Sequence, residues 1–263
     1  MGAFGPGGGI EIKSEKGIGR MREACGIVRD TLKLLRTLVR PGVSTASLDK
    51  EAEGFIRSKG AIPSFLHYNG YPKSICTSVN DQVVHGIPGA TVIREGDIVS
   101  VDVGAFINGY HGDAARTFAV GEISEDAQRL IRITRESFFK GIEFARKGYY
   151  ISDISRAVQK HAEGEGYSVV RELIGHGIGH NMHEPPDVPN FADPRYGRGA
   201  RLKPGMTIAI EPMINMGSRE VATRADGWTV VTRDGSLSAH YENTIAITEG
   251  APLILTLEEE EDV

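Results

Sequence analysis

The chain has 263 residues, enough to bury a substantial core as one large domain or two small ones. Charged residues are 25% and hydrophobic residues 40%, ordinary for a soluble globular protein, and a formal net charge of -5 without any basic cluster argues against a nucleic-acid surface. Cys25 and Cys76 are the only cysteines, which excludes a disulfide scaffold or a zinc finger and suits a reducing compartment, and no apolar run suggests a membrane span.

Residues 1–9 are rich in glycine and lack an apolar targeting region, so they read as a flexible tail. Ser14 to Val39 is predicted as a long helix. Ser14 caps it, Ile18, Met21, Cys25, Val28, Leu32, Leu35 and Leu38 form its apolar stripe, and Pro41-Gly42 ends it. Cys25 is thereby expected in the core. Ser44 or Ser47 starts a shorter helix with Leu48, Ala52 and Phe55 inward, closing at Lys59-Gly60. The turn-rich span from Ala61 to Gly89 carries Phe65, His67, Tyr68 and Tyr71, which either wall an apolar pocket or simply cover a sheet.

Gly96 to Asp113 opens as a strand in which Ile98, Val99, Val101 and Val103 supply β-branched bulk while Ser100, Asp102 and Gly104 share the other parity. A turn at Asn108-Gly109 leads into a second strand running to Val120 and carrying Asp113. Aspartate in mid-strand is unfavourable, and two facing carboxylates repel unless they share a proton or a cation. On this stretch alone a solvated strand face and turn-forming aspartates explain the pattern equally well.

Ser124 caps the next long helix, with Leu130, Ile131, Thr134, Phe138, Ile142 and Ala145 inward, and Gly148 breaks it. Ser152 starts a shorter one with Ile154, Val158 and His161 inward, closed by Gly164 to Gly166. Strands are expected at Tyr167 to Leu173, at Met206 to Glu211, at or near Trp228, and at Ser236 to Thr248, with a glycine-rich segment around His176, His180 and His183 between the first two. Residues 258–263 form an acidic tail, a solvated end.

The two halves, about 14–120 and 124–250, follow one plan of long helix, short helix, loop and strands. Arg94-Glu-Gly-Asp-Ile-Val-Ser-Val-Asp102 also echoes Lys203-Pro-Gly-Met-Thr-Ile-Ala-Ile-Glu211. This reads as a duplicated α+β unit that puts Asp102 and Glu211 on equivalent strands near a pseudo-two-fold axis. Asp102, Asp113, Glu211 and Glu242 are then four acids in or beside strands, and a shared interior tolerates them when cations bind them. Two divalent ions balance the four charges, and His176 is the natural neutral fifth ligand. Such a donor set suits Mn, Fe or Co and tolerates Zn. Two ions about 3.5–4 Å apart activate a water between them. His85 and His183 are left to act on a substrate, while the phase of His180 assigns it no role.

The order Asp102, Asp113, His176, Glu211, Glu242 resembles the dinuclear site of the methionine aminopeptidases, type I, which have the pita-bread fold. The resemblance is carried by Asn69-Gly-Tyr-Pro-Lys-Ser-Ile-Cys, Ser78-Val-Asn, His85-Gly-Ile-Pro, Asp113-Ala-Ala-Arg-Thr-Phe, Gly175-His-Gly-Ile-Gly, His183-Glu-Pro-Pro, Lys203-Pro-Gly-Met-Thr, Ile210-Glu-Pro-Met and Asp226-Gly-Trp-Thr-Val. It implies an α+β pita-bread domain over 10–257 that removes the N-terminal methionine from nascent chains with a small second residue. It implies two divalent ions (Co, Mn, Fe or Zn), one on Asp102, both bridged by Asp113 and Glu242, and the other completed by His176 and Glu211. Glu211 is implied as the proton shuttle, His85 as a partner of the substrate or the new amine, and His183 as support for the scissile carbonyl. Phe65, Tyr68, Tyr71, Cys76 and Trp228 resemble the wall of the methionine pocket, which an unbranched thioether suits. The implied partners are the N-termini of nascent polypeptides at the ribosome, and the implied state is a cytoplasmic monomer with no nucleic-acid or membrane site. Family members often carry Cys, His, Gln and His where Phe65, Asn69, His240 and Asn243 stand here, so Phe65 narrows the pocket and the pair flanking Glu242 alters its surroundings. The nearest rival is an Xaa-Pro dipeptidase or aminopeptidase P, which usually carries an added N-terminal domain that this chain has no room for.

Overall fold

The computed structural model describes residues 9–194 and 197–257, so the N-terminal tail save Gly9, and the whole acidic tail, lie outside the described residues. The first half begins with α1 (Glu15–Leu38), where the Ser14 side chain accepts from the Gly17 N–H at 3.1 Å. Met21, Cys25, Val28, Leu32 and Leu35 are buried along one face, as the spacing requires. In α2 (Thr45–Ser58) Ser44 is the cap and Leu48, Ala52 and Ile56 are buried. Phe55 is only half-buried, because Ile56 continues the spacing from Leu48 and Ala52 more closely.

The long helix packs on a hairpin of strands Ile98–Ile107 and Tyr110–Ala119, and the short one on Ile62–Pro63 and Ile75–Val79 beside it. Asn108 (φ 53°) and Gly109 (φ 83°) make its two-residue turn, the left-handed pair that matches the twist of the strands. Strand Ile75–Val79 pairs with the outer side of Ile98–Ile107, placing Cys76 opposite Asp102. Val99, Val101 and Val103 join Val28, Leu32, Leu35, Leu48 and Ile56 in one core. Burying each of these side chains stabilises the fold by about 1.5–3 kcal/mol. The alternate parity, with Asp102, therefore faces away from the helices.

The second half repeats the plan. Ser124 caps α3 (Glu125–Ile142), and Ile133 rather than Ile131 is its fully buried isoleucine. The short helix α4 (Ile151–Gly164) starts one residue earlier than the sequence suggests, since the Asp153 carboxylate accepts from the Tyr150 N–H at 2.9 Å and makes Tyr150 the cap. His161 is half-buried beside Glu136, with Nε2 3.1 Å from its Oε2. Phe138, Ile154 and Val158 meet Ile208, Ile210 and Ile245 in a second core. That core lies under a five-stranded antiparallel sheet in the order Leu253–Ile254, Asn243–Ala246, Thr207–Ile210, Gly175–Gly177, Glu184–Val188.

The strand expected at Tyr167 to Leu173 shrinks to Ser168–Val169. The one expected at Ser236 to Thr248 is two, Ser238–His240 and Asn243–Ala246, broken at Tyr241-Glu242, and Leu253–Ile254 follows them. The break has a structural cause. Ser238–His240 pairs with Met213–Asn215 in a separate small sheet, while Asn243–Ala246 pairs with Thr207–Ile210.

Backbone pairing helps to join the halves. Ala115 and Glu242 exchange backbone hydrogen bonds of 3.3 and 3.0 Å. Val230–Thr232, from the second half, pairs with Gln82–Val84, from the first. Among the described residues no helix is long and apolar enough to cross a membrane.

Candidate metal centre

The five expected ligands reach one place from five elements. Asp102 sits mid-strand in Ile98–Ile107, and Asp113 lies across the hairpin opposite Gly104, so the two carboxylates are diagonal neighbours on one face. His176 is central in Gly175–Gly177, a strand whose Gly177 is required because a Cβ there would meet the Pro185 carbonyl oxygen at 2.3 Å. Glu211 directly follows Thr207–Ile210. Glu242 occupies the break in the last strands instead of a regular strand position, its backbone held by Ala115.

Donor atoms of Asp113, His176 and Glu242 lie within 4.8 Å of one another, and so do those of Asp102, His240 and Glu242. His176 Nε2 is 3.8 Å from Asp113 Oδ2 and 3.7 Å from Glu211 Oε1. The His176 Nδ1–H donates to the Gly177 carbonyl at 2.9 Å, which leaves the Nε2 lone pair facing the carboxylates.

Burial sets the electrostatics. It raises Asp102 to about 7 and pushes Asp113, Glu211 and Glu242 well above the usual carboxylate range. Neighbouring carboxylates push the last three further. Burial likewise holds His176 well below its ordinary value. The fit to cations rests on partners. Asp102 Oδ1, Asp113 Oδ1, Glu242 Oε1 and His240 Nε2 are buried without a hydrogen bond. Each such atom costs about 1–3 kcal/mol, more when charged, and four at one point are what a divalent cation satisfies.

The predicted pocket residues also converge. Phe65, Tyr71 and Cys76 share a cluster with the partly buried Tyr68 and Trp228. Tyr71 donates to the carbonyls of Ile75 (3.2 Å) and Gly86 (3.0 Å), which fixes its ring, and Trp228 meets that ring edge-on with centroids 5.1 Å apart. Phe65 packs over Gly104, where a Cβ would lie 2.8 Å from its ring, two residues from Asp102 on the same face. Burial keeps the Cys76 thiol well above its ordinary pKa, with the Asp102 charge adding to the effect.

His183 stands at the mouth, its ring 4.0 Å from that of His176 and its Nδ1 2.7 Å from the Tyr68 hydroxyl. His85 faces Trp228 at 6.4 Å and holds a left-handed backbone (φ 58°), a strained conformation of the kind that persists where surroundings impose it. Burial lowers both imidazoles to about 4, so both are neutral at pH 7.

Sequence reasoning passed over two contributors, and read a third, His240, only as a neighbour that alters the surroundings of Glu242. His240 lies inside the cluster; its spacing of two from Glu242 was the available signal, since alternate residues of an extended chain share a face. Asn190 donates to the Glu211 carbonyl at 2.9 Å, and nothing in its local sequence marks it. Arg116 donates to the Glu242 carbonyl at 2.6 Å and to Asn243 Oδ1 at 2.8 Å. Asn243 thus braces the backbone beside Glu242. His180 lies away from the cluster, with Nδ1 2.7 Å from the Gly109 carbonyl.

Residues 19–249 match the metallopeptidase family M24. A methionine aminopeptidase of Clostridium acetobutylicum is 56% identical over 94% of this chain and 99% of its own. The crystal structure of methionine aminopeptidase from Rickettsia prowazekii superposes with a TM-score of 0.92 at 44% identity, covering 95% of this chain and 100% of that one. An Xaa-Pro dipeptidase from Bacillus anthracis shares the fold with a TM-score of 0.75 at 26% identity, covering 95% of this chain but 63% of its own. The duplicated α+β architecture is therefore the pita-bread fold of these enzymes, and the chain belongs to metallopeptidase family M24, within it to the methionine aminopeptidases.

Proposed function

We propose that residues 10–257 form one catalytic domain that hydrolyses the first peptide bond of polypeptides beginning with methionine, using two divalent cations. The observation that carries this reading is the set of buried, unpartnered donor atoms of Asp102, Asp113 and Glu242 beside a pocket walled by Phe65, Tyr71, Cys76 and Trp228. Asp102, Asp113, His176, Glu211 and Glu242 would hold the ions, which supply positive charge to polarise the scissile carbonyl and to make water nucleophilic near neutral pH.

The protein's own groups do the rest. The aromatic and thiol wall takes the unbranched thioether and orients the bond to be cut. Glu211, held by Asn190 through its backbone, accepts the proton of the attacking water and returns it to the leaving amine. His183, neutral and fixed by Tyr68, is placed to donate to the developing oxyanion, and His85 to hydrogen-bond the amide nitrogen of the departing chain. The substrates are the N-termini of newly made polypeptides with a small second residue, met in the cytoplasm at the ribosome by a monomeric enzyme.

The test is hydrolysis of Met-Ala-Ser against Gly-Pro by protein loaded in turn with Mn, Fe, Co and Zn. We expect release of methionine and little action on Gly-Pro; the reverse preference would overturn the assignment. Glu211→Gln is expected to lower kcat by about 10²–10⁴-fold with the fold intact.

A further inference from the structure

His240 is the one neutral donor of the cluster that the five-ligand description leaves without a task. It ends strand Ser238–His240, and its backbone is clamped on both sides by Thr117. Thr117 Oγ1 donates to the His240 carbonyl at 2.9 Å and accepts from the His240 N–H at 2.9 Å. The residue is 2% exposed, and its Nε2 has no hydrogen-bond partner.

That nitrogen lies 3.7 Å from Glu242 Oε2 and 3.8 Å from Glu211 Oε2. Both separations are beyond hydrogen-bond range. They also repeat the separations of 3.7 and 3.8 Å that His176 Nε2 keeps from Glu211 and Asp113. The cluster is therefore two triads sharing Glu242, Asp113–His176–Glu242 and Asp102–His240–Glu242, each with two carboxylates and one imidazole.

On the two-ion reading above, we infer that His240 Nε2 is a sixth protein donor and ligates the ion on the Asp102 side, so that each ion has its own imidazole. An added nitrogen donor raises affinity for Co, Ni and Zn more than for Mn, following the order of divalent metals toward nitrogen ligands. A Gln in its place would offer a harder amide oxygen and would bias the same ion toward Mn.

The experiment uses full-length protein, freed of metal and reloaded with Zn²⁺ or Mn²⁺, as wild type, His240→Gln and His240→Ala, with circular dichroism confirming the fold of each. Calorimetric titration gives the number of ions and their affinities, and X-ray absorption of the Zn²⁺ form counts imidazoles per metal. The expected result is two ions in wild type with an average of one imidazole each. Both variants should show that average halved, and one Zn²⁺ site weakened more than about 100-fold, beyond what loss of a mere hydrogen-bonding neighbour of a ligand costs. The Mn²⁺ affinity of His240→Gln should change far less. Two ions in wild type with an imidazole count that the variants leave unchanged would overturn the assignment of His240 alone. A wild type that takes only one ion would overturn the two-ion reading and this inference with it.

Discussion

Removing metal should make the fold sensitive to mild alkali. The chelated protein must keep Asp102, Asp113, Glu211 and Glu242 together with nothing to neutralise them. In the folded state burial and mutual repulsion hold their carboxyls above the ordinary carboxylate range, Asp102 at about 7 and the others well above their usual value. A group whose folded pKa exceeds its unfolded one contributes stability that is lost as pH rises through the folded value. Below about pH 6.5 the histidines of the site oppose this trend, because His85, His176, His183 and His240 are held neutral in the fold but protonate once unfolded. Between about pH 7 and about pH 8 the histidines become largely neutral in both states, and the carboxyls dominate. Each proton retained in the fold then lowers stability by about 1.4 kcal/mol per pH unit, or about 3–6 °C in Tm for a chain of this size. Differential scanning fluorimetry of chelated protein across that interval should show the fall. Saturating divalent metal, which binds the ionised form, should abolish it and add about 4 kcal/mol at a thousandfold excess over Kd. Asp113→Asn should raise the Tm of the chelated protein and flatten its slope. A Tm of the chelated protein that stays level or climbs from pH 7 to pH 8 would refute the reasoning.

Three further outcomes are expected. Gly104→Ala places a methyl group 2.8 Å from Phe65 Cε1 and Ser64 Cβ, so the ring must move into the pocket; KM for methionine peptides should rise while metal content stays the same, and overpacking should cost about 1–3 kcal/mol by denaturant titration. Arg116→Met removes the hydrogen bonds to the Glu242 and Ala115 carbonyls and to Asn243 Oδ1, and should lower stability by about 1–3 kcal/mol and weaken metal binding together. Cys25 is fully buried with its thiol pushed up to about 12, so native protein at about pH 8 should resist iodoacetamide there and label only on unfolding, as peptide mapping by mass spectrometry would read.

The helices were legible because their signals are local. Ser14, Ser44 and Ser124 all act as caps, and the buried faces follow the apolar spacing to within a residue, with Phe55 and Ile131 displaced by Ile56 and Ile133. The hairpin and its two aspartates were legible for the same reason, through parity and Asn108-Gly109. The later strands were not. Whether Ser236 to Thr248 is one strand or two depends on Met213–Asn215 and Thr207–Ile210 competing for it from separate sheets, which no local pattern encodes. His240 was read only as a neighbour of Glu242, and not as a donor, for a related reason, since its standing depends on Thr117 and Glu211, both distant in sequence. Resemblance to a known family supplied the roles of His85, His183 and the pocket wall, where spacing alone left those histidines and aromatics ambiguous.

The backbone exchange between Ala115 and Glu242 also bears on how the protein folds. Beside it the Arg116 side chain reaches the Glu242 carbonyl across 126 residues, and Thr244 Oγ1 donates to the Asp113 carbonyl across 131. Contacts of such sequence separation are slow to form, because chain entropy is lost before any of them is made. Each half can bury its own helices first, but the acidic cluster exists only once the halves dock. On the two-ion reading, metal capture should therefore report the last stage of folding, and a chain still being synthesised should have no complete ion site until Glu242 has emerged.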